Sequence, residues 1–431
     1  MLRSLSSAVS GLENMQTALD VVGNNIANVN TVGFKASSIT FQDLFTQMLA
    51  GASAPTATHG GTNPMQVGLG VSTAAITPNM SQGSLQTTGN PLNMAIQGNG
   101  FFVASQNGVD MYTRAGAFNL DANGNLVNPA GLLVQGWQAT ASGTFPATTA
   151  ANMSNIQIQQ GESIAPQATT GLALTGNLNS NDSTGTTRTA LADAYDSLGN
   201  LVPVTVTFDK TAANTWSWDA TVPASLVSGA TSPVSVGSGS VGFTASGAVT
   251  SGTTSGSFII PPTGSLADGA STISGGFDLS GMTQYAAPTT VTQSTLTQAQ
   301  LTAGDVTGYA PGTLEQVSVD PSGVITGIFT NGQREELAQV AMANFSNPTG
   351  LQDQGNGLYA VSNNSGPAAV GAANTGGRGS IAPGSLEMSN VNLSTEFVNM
   401  ITAERAFQAD SQVVGADNLV LQTLNTLNQV P

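Results

Sequence analysis

The sequence predicts a multidomain, mainly β protein in which N- and C-terminal α-helices form a coiled-coil-like terminal domain and β domains are nested between them. Three observations carry that prediction. Apolar residues recur at alternating three-and-four spacing at both ends of the chain. The middle breaks into short β-type runs punctuated by Asn-Gly, Asp and Gly turns. Two blocks with the same turn layout stand far apart, on either side of a Ser/Gly/Thr-rich stretch.

At the N-terminus the apolar positions are Leu5, Ala8, Leu12, Met15, Leu19, Val22, Ile26 and Val29, which gives a helix with one narrow seam. At the C-terminus they are Leu393, Met400, Phe407, Val414 and Leu421, flanked by Phe397, Ala403, Leu424 and Leu427. Asn392 or Ser394 would cap this second helix, with Glu396 in its first turn. A single seam does not offset the backbone entropy of so long a helix, so each seam needs a partner. The partner is the other terminal helix, neighbouring copies of the chain, or both. The ends are expected to fray in a free monomer.

Between the helices, Met94–Trp137 reads as short strands joined by tight turns. A second block runs from Leu314–Phe345 to Gly357–Gly366, and its "VDPSGVIT" matches the layout of "LDANGNLV" in the first. Two parts of one β domain separated in this way imply an insertion. Within the insertion, Ala190–Val222 alternates Val, Thr and Trp as hairpin strands do, and the Ser/Gly-rich text beyond Pro223 still carries alternating Val, Phe and Ile. The predicted organisation is a terminal helical domain (1–33 and 386–431), connecting segments (34–75 and 372–385), an inner β domain (76–148 and 295–371) and an outer inserted β domain (149–294).

Composition narrows the function. Only 7% of the 431 residues are charged and the formal net charge is -16, a balance that repels nucleic acid and anionic lipid. There is no cysteine, which excludes disulfides and thiolate chemistry. The start of the chain lacks the apolar stretch of a cleaved signal peptide, and no segment is long and apolar enough to insert in a membrane, so a chain of this composition working outside the cell would be exported without a cleaved signal.

No catalytic, cofactor or metal site assembles from the sequence. The lone histidine, His59, has no second ligand near it. Asp121, Asn123 and Asn125 alternate as in a calcium loop, but an EF-hand would need Gly sixth and Glu twelfth, where Leu126 and Leu132 stand, so the stretch reads as a hairpin turn. "QVGLGVST" lacks the lysine of a phosphate loop, and the adjacent Glu335 and Glu336 would point to opposite faces of a strand. The sparse charges Lys35, Arg114, Arg188, Arg378 and Arg405 stand out as anchoring points in a neutral surface.

The stretch "NNIANVNTVGFKA", Asn24–Ala36, resembles the N-terminal signature of the bacterial flagellar rod and hook protein family, matching at Asn25, Ile26, Ala27, Asn28, Thr31, Gly33, Phe34 and Lys35. "GSLEMSNVNLSTEFVNMITAERAFQAD", Gly384–Asp410, is similar to the family's C-terminal signature, with Asn392 in place of a common Asp and Glu404 in place of a common Gln. Ala194–Trp218 resembles the outer domain that hook members carry and the shorter rod members lack. The resemblance covers both ends and most of the middle.

What it implies is a structural subunit of the flagellar hook, not an enzyme. Such a subunit is exported unfolded through the flagellar type III apparatus and polymerises outside the cell into a curved, flexible, hollow tube that transmits torque from rod to filament. Its implied partners are further copies of itself and the rod, hook-cap and hook–filament junction proteins. The candidate polymerisation interface is then Leu5, Leu12, Leu19, Val22, Ile26 and Val29 with Leu393, Phe397, Met400, Phe407, Val414, Leu421 and Leu424. Asn24, Asn25, Asn28 and Asn30 would either cap the helix locally or bridge neighbouring copies, Gly33 would stop the helix at positive φ, and Phe34 would anchor the exit. Two other readings stay open: a distal-rod subunit, and a secreted β-rich adhesin or polysaccharide-binding protein, whose mark would be an acidic aromatic cleft around Trp216 and Trp218.

Overall fold

A computed structural model describes residues 2–56, 58–140, 143–250, 255–262, 264–294 and 308–427. The described chain is mainly β, with two long helices at its ends. It divides into two compact units, Met1–Gln160 with Val317–Gly327 and Glu335–Pro431, and Gly161–Gln316 with Ile328–Arg334.

The first unit begins with α1 (Leu2–Ala27) and ends with α2 (Leu393–Leu427). Helix α1 stops at Ala27, so Val29 lies past the helix in a turn, where its N–H donates to Ile26 O. The Asn28 side-chain amide reaches back to Asn24 O, which also accepts the Asn28 backbone N–H, and so tightens the last turn. At the start of α2 it is Asn392, not Ser394, that caps: its Oδ1 accepts from Ser394 N and Thr395 N at 3.0 and 3.3 Å.

Where the sequence predicts a connecting segment, the chain forms a long ribbon. Strands β1 (Ser37–Asp43) and β4 (Val71–Pro78) pair antiparallel at its base, and β2 (Thr46–Ala50) pairs with β3 (Met65–Gly68) further out. The base is pinned to α1 by Asn14, which donates to Val71 O and accepts from Thr73 Oγ1.

The β part of the first unit is built across the insertion. Strand Leu133–Gln138 pairs with Phe101–Gln106 on one side and with Arg334–Val340 on the other. Its core is aromatic: Phe101 meets Phe345 and Tyr359 edge-on at 5.8 and 5.7 Å between centroids, and Tyr112 meets Phe345 at 4.8 Å.

The second unit packs a four-stranded antiparallel meander (Thr187–Tyr195, Leu201–Ala212, Thr215–Val222, Val234–Gly242) with a five-stranded sheet around Gly171–Asn177. Strict alternation sends Val202, Val204, Val206 and Phe208 inward from one strand and Trp216, Trp218, Ala220 and Val222 from the next. Fully burying each large apolar side chain contributes about 1.5–3 kcal/mol. Lys210 continues the inward row, and its ammonium ends on Ser180 O and Asp182 O, 5.7 Å from the Trp216 ring centroid. The unit starts and ends later than the predicted outer domain, because strand Gly312–Val319 pairs back through Thr313 to Ser163.

The Ser/Gly-rich text has a packing reason. A side chain at Gly239 would meet the Trp218 ring within 2.8 Å, and one at Gly256 would strike the same ring. These glycines leave room for the indole, while Ser240, Ser246 and Ser255 face outward. The matched turns also share one device: Asp121 Oδ1 accepts from Asn123 N and Asn125 N, and Asp320 Oδ1 from Ser322 N and Val324 N. Asp196, in the second unit, does the same with Leu198 N and Asn200 N. In each turn a glycine at φ near +80° closes the loop. The Asp121 carboxylate is thus occupied by its own turn, as the hairpin reading expects.

Candidate assembly interface

The terminal helices lie against each other and run antiparallel. Ser4 Oγ donates to Asp417 Oδ2 at 2.7 Å, and one heptad further along each helix Gly11 faces the Asp410 carboxylate. The face that α1 buries is a stripe of small and polar residues: Ala8, Gly11, Asn14, Ala18, Val22 and Asn25. On α2 the buried residue is Ala403, with Met400, Ala406, Asp410 and Val414 half-buried. Small residues let the two backbones approach, and the bulky seam residues are left to straddle the contact.

The predicted interface residues are therefore distributed unevenly. Val22 is buried, while Leu5, Leu12, Leu19, Ile26, Val29, Met400 and Val414 are half-buried. Leu393, Phe397, Phe407 and Leu421 remain 36–49% exposed, joined on α2 by Val398 and Ile401 at 62% and 52%. The side chain of Leu424 lies outside the described residues. The helix pair satisfies itself along one stripe and keeps an apolar face uncovered.

The signature stretch forms the joint between helices and β structure. Asn25 is 1% exposed and mimics a strand neighbour: its Nδ2 donates to Ser37 O at 2.8 Å and its Oδ1 accepts from Ser37 N at 2.9 Å. Asn28 and Thr31 close the turn, with Thr31 Oγ1 on Asn28 Oδ1. Gly33 has φ +70° as expected, but it lies beyond the helix end. It sits against the Arg114–Ala115 backbone, where a Cβ would come within 2.6 Å of Ala115 N. Its role is close approach, not the stopping of α1. Asn25 and Asn28 thus spend their amides within the chain. Ala27 and Asn30 are exposed, Asn24 is exposed at the helix end, and Phe34 is half-buried.

At the centre of the joint Lys35 Nζ meets Glu387 Oε1 at 2.6 Å, both side chains fully buried, and also donates to Ser81 O. Arg114 approaches the other oxygen, Glu387 Oε2, at 3.4 Å, and donates to Gly98 O with its guanidinium over the Phe101 ring. Gly83 N adds a third donor to the carboxylate. Burial pulls the Lys35 ammonium below the ordinary lysine range and Arg114 below the arginine range, while Glu387 opposes both shifts. Two cations on one buried carboxylate tie together residues drawn from three distant parts of the sequence. Beside them Asn390 accepts from Ala36 N and donates to Asn79 O and Ser81 O.

The sequence singles out Lys35 and Arg114 as anchors, but both are buried and not on the surface. Glu387, Asn390 and Asn14 escaped notice. The available signal for Glu387 is a lone carboxylate in "GSLEMSN", just ahead of the C-terminal helix. Arg378 stays on the loop it folds, donating to Ala369 O and Ala372 O.

Four family models match the chain in order. They describe a flagella basal body rod protein (residues 5–35), the flagellar hook protein FlgE/F/G D1 domain (95–166), the flagellar basal body protein FlaE D2 domain (165–298) and the flagellar basal body rod FlgEFG protein C-terminal region (382–427). The flagellar hook protein FlgE of Treponema pallidum is 36% identical over the whole of both chains, and that of Salmonella typhimurium is 36% identical over 98% of this chain and all of its own. The chain belongs to the flagellar hook protein FlgE family. It is accordingly a structural subunit of the flagellar hook, in a family that self-polymerises at the basal body. The Bacillus subtilis basal-body rod protein FlgG is more similar locally, at 53% identity, but over only 30% of this chain and half of its own. The Helicobacter pylori hook protein FlgE2 crystal structure aligns over 70% of this chain at 15% identity and a TM-score of 0.48.

Proposed function

We propose that this FlgE-family chain builds the curved, hollow, flexible tube of the hook by covering the exposed apolar face of its terminal helix pair with the same helices of neighbouring copies. The observation that carries this reading is the mismatch on α2, where small and acidic residues are spent on α1 while Phe397, Val398, Ile401 and Phe407 face solvent. Folding of the ends is then completed by assembly, and a chain whose ends hold together only weakly alone passes more readily through a narrow export channel. The working location is the cell exterior, reached through the flagellar type III apparatus without a cleaved signal. Contacts with rod, hook-cap and hook–filament junction proteins use the two ends of the tube.

The second unit suits contacts that slide. Its surface strands present Ser and Thr, with little charge to resist sliding between neighbours as the tube bends. The adhesin or polysaccharide reading depended on an aromatic cleft, yet Trp216 and Trp218 are 0% and 3% exposed in a sheet core.

Hydrogen exchange on monomer and polymer tests the proposal. Amides of Leu5–Val29 and Leu393–Leu424 should exchange readily in the monomer and be protected in tubes seen by electron microscopy. Ends already protected in a monomer that never assembles would refute it.

A further inference from the structure

Beyond the helix pair, the first unit carries two other unpartnered apolar features. One is the β2–β3 ribbon. Every residue of both strands is exposed, with Phe45 at 88%, Met48 and Met65 at 60% and Leu49 at 53%. A two-stranded ribbon without a packed face is marginally stable in water, and exposed apolar clusters of this kind mark interaction surfaces. The other is a groove of about 410 Å³ between α1, α2 and β1, with Met15, Val21 and Val22 on one wall, Ile39 and Phe41 on another, and Ala403 on the third. That volume lies within the range of about 300–1,000 Å³ in which concave sites hold guests.

We propose that the ribbon of one copy, led by Phe45 and Met48, seats in this groove of a neighbouring copy. The proposal rests on the hook reading above and assigns part of its subunit contact. The ribbon cannot fill the groove of its own chain. β1 forms a wall of the groove and β2 continues outward from it after only two residues, while the pairing of β1 with β4 and the Asn14 contacts fix the base. Met48 lies seven residues past Phe41, which places it roughly 23 Å away along an extended strand.

The chemistry of the two surfaces is complementary. Both are apolar and nearly uncharged, Glu396 at one end of the groove being the exception, and the thioether of Met48 adapts to irregular space. The geometry is also of the right kind for a tube. A protrusion and a recess at different places on the same chain make a heterologous contact, which propagates into an open helical array when its rotation does not close a ring.

The absence of cysteine gives a clean test. Met48→Cys is combined with Asn399→Cys or Thr402→Cys at the groove rim, polymer is grown and oxidised, and the products are run on a non-reducing gel. The expected result is a ladder of covalent trimers and larger species, absent from each single variant. In parallel, Phe45→Ser with Met48→Ser should raise the concentration needed for assembly at least tenfold, while the monomer keeps wild-type hydrogen exchange in Met94–Gln97 and in the second unit.

Normal tubes from the double serine variant, together with no cross-link above the single-cysteine background in the paired-cysteine variants, overturn the ribbon contact and leave the hook reading intact. A covalent dimer with no higher rungs shows a closed contact and also overturns it. A wild-type chain that never forms tubes overturns both readings.

Discussion

The second unit and the terminal part of the first solve the same problem in opposite ways. In the second unit Trp216, Trp218, Phe208 and Phe277 turn inward, glycines make room for the indole, and the outward positions are largely Ser and Thr, with Leu191, Leu201 and Ile259 as scattered apolar exceptions. In the terminal part, α2 and the ribbon leave Phe45, Met48, Phe397, Val398 and Ile401 to solvent. A chain with few charges has little else with which to keep such surfaces apart; on the reading proposed above, one region is finished as a monomer and the other by copies of itself. Within the first unit, the buried joint of Lys35, Arg114 and Glu387 links the helices to the β structure, and its ionic contacts are sheltered from salt and water.

The largest effect that would sharpen this contrast is expected at that joint. Glu387→Gln leaves two buried cations without their carboxylate, and breaking a buried pair costs about 3–5 kcal/mol. Exchange should accelerate in Met94–Gln97 and in the signature turn, with the second unit unchanged. A variant as stable as the parent would show that the joint is held by packing and by Asn25 and Asn390, with the charges incidental.

The converse change belongs to the second unit. Gly256→Val drives a branched side chain into the Trp218 ring, and overpacking of this kind costs about 1–3 kcal/mol. Tryptophan near-UV signals should weaken while the helix pair keeps its exchange rates. Loss of assembly at unchanged monomer stability would mean that the outer surface is more than a sliding face.

How much of this was legible in the sequence follows from the range of each signal. Heptad spacing, Asp-x-x-Gly turns and period-two alternation are local, and they located both helices, the paired turns and the inward Trp row. The roles of Asn14, Glu387 and Asn390 depend on what lies opposite them after folding, across sequence separations such as Lys35 to Glu387 that no local pattern spans. The helix contact itself was misjudged for a related reason. Apolar spacing marks Leu5, Ala8, Leu12, Leu19 and Val22 alike as the seam, but closeness of approach is set by Ala8 with Gly11 and Ala18, and the last two stand outside the apolar repeat. The ribbon at 37–78 read as a connection because its strands lack the one-sided alternation of a sheet with a buried face.

A smaller effect is expected at high pH. Burial pushes Tyr112 and Tyr359 up to about 12, with Asp110 and Asp353 adding to it, and the two residues are paired on adjacent strands of the first unit. The unfolded chain loses these phenol protons near pH 10 and the folded chain retains them. The stabilisation is therefore complete below pH 10 and disappears as pH rises toward 12, at about 1.4 kcal/mol per unit for each group. Lys35 acts with the opposite sign, since its folded form releases its proton below the ordinary lysine range, so the phenols must be isolated by difference. Tyr112→Phe with Tyr359→Phe should flatten the loss between pH 10 and 12 relative to the parent; an identical pH profile would mean that the phenols ionise without unfolding the core.

The smallest effect on the free chain is expected where the effect on assembly is greatest. Phe397→Ser and Ile401→Ser remove apolar surface that is already 49% and 52% exposed, so monomer stability should change by no more than about 0.5 kcal/mol each. Both residues lie on α2 between half-buried Glu396 and Met400 and buried Ala403, so the intramolecular helix pair keeps its contacts. Sedimentation and electron microscopy should nevertheless find tubes only at raised concentration or not at all. If the variants destabilise the monomer strongly, the exposed face of α2 is supporting its own chain, and the division between a region finished alone and a region finished by assembly fails at its main point.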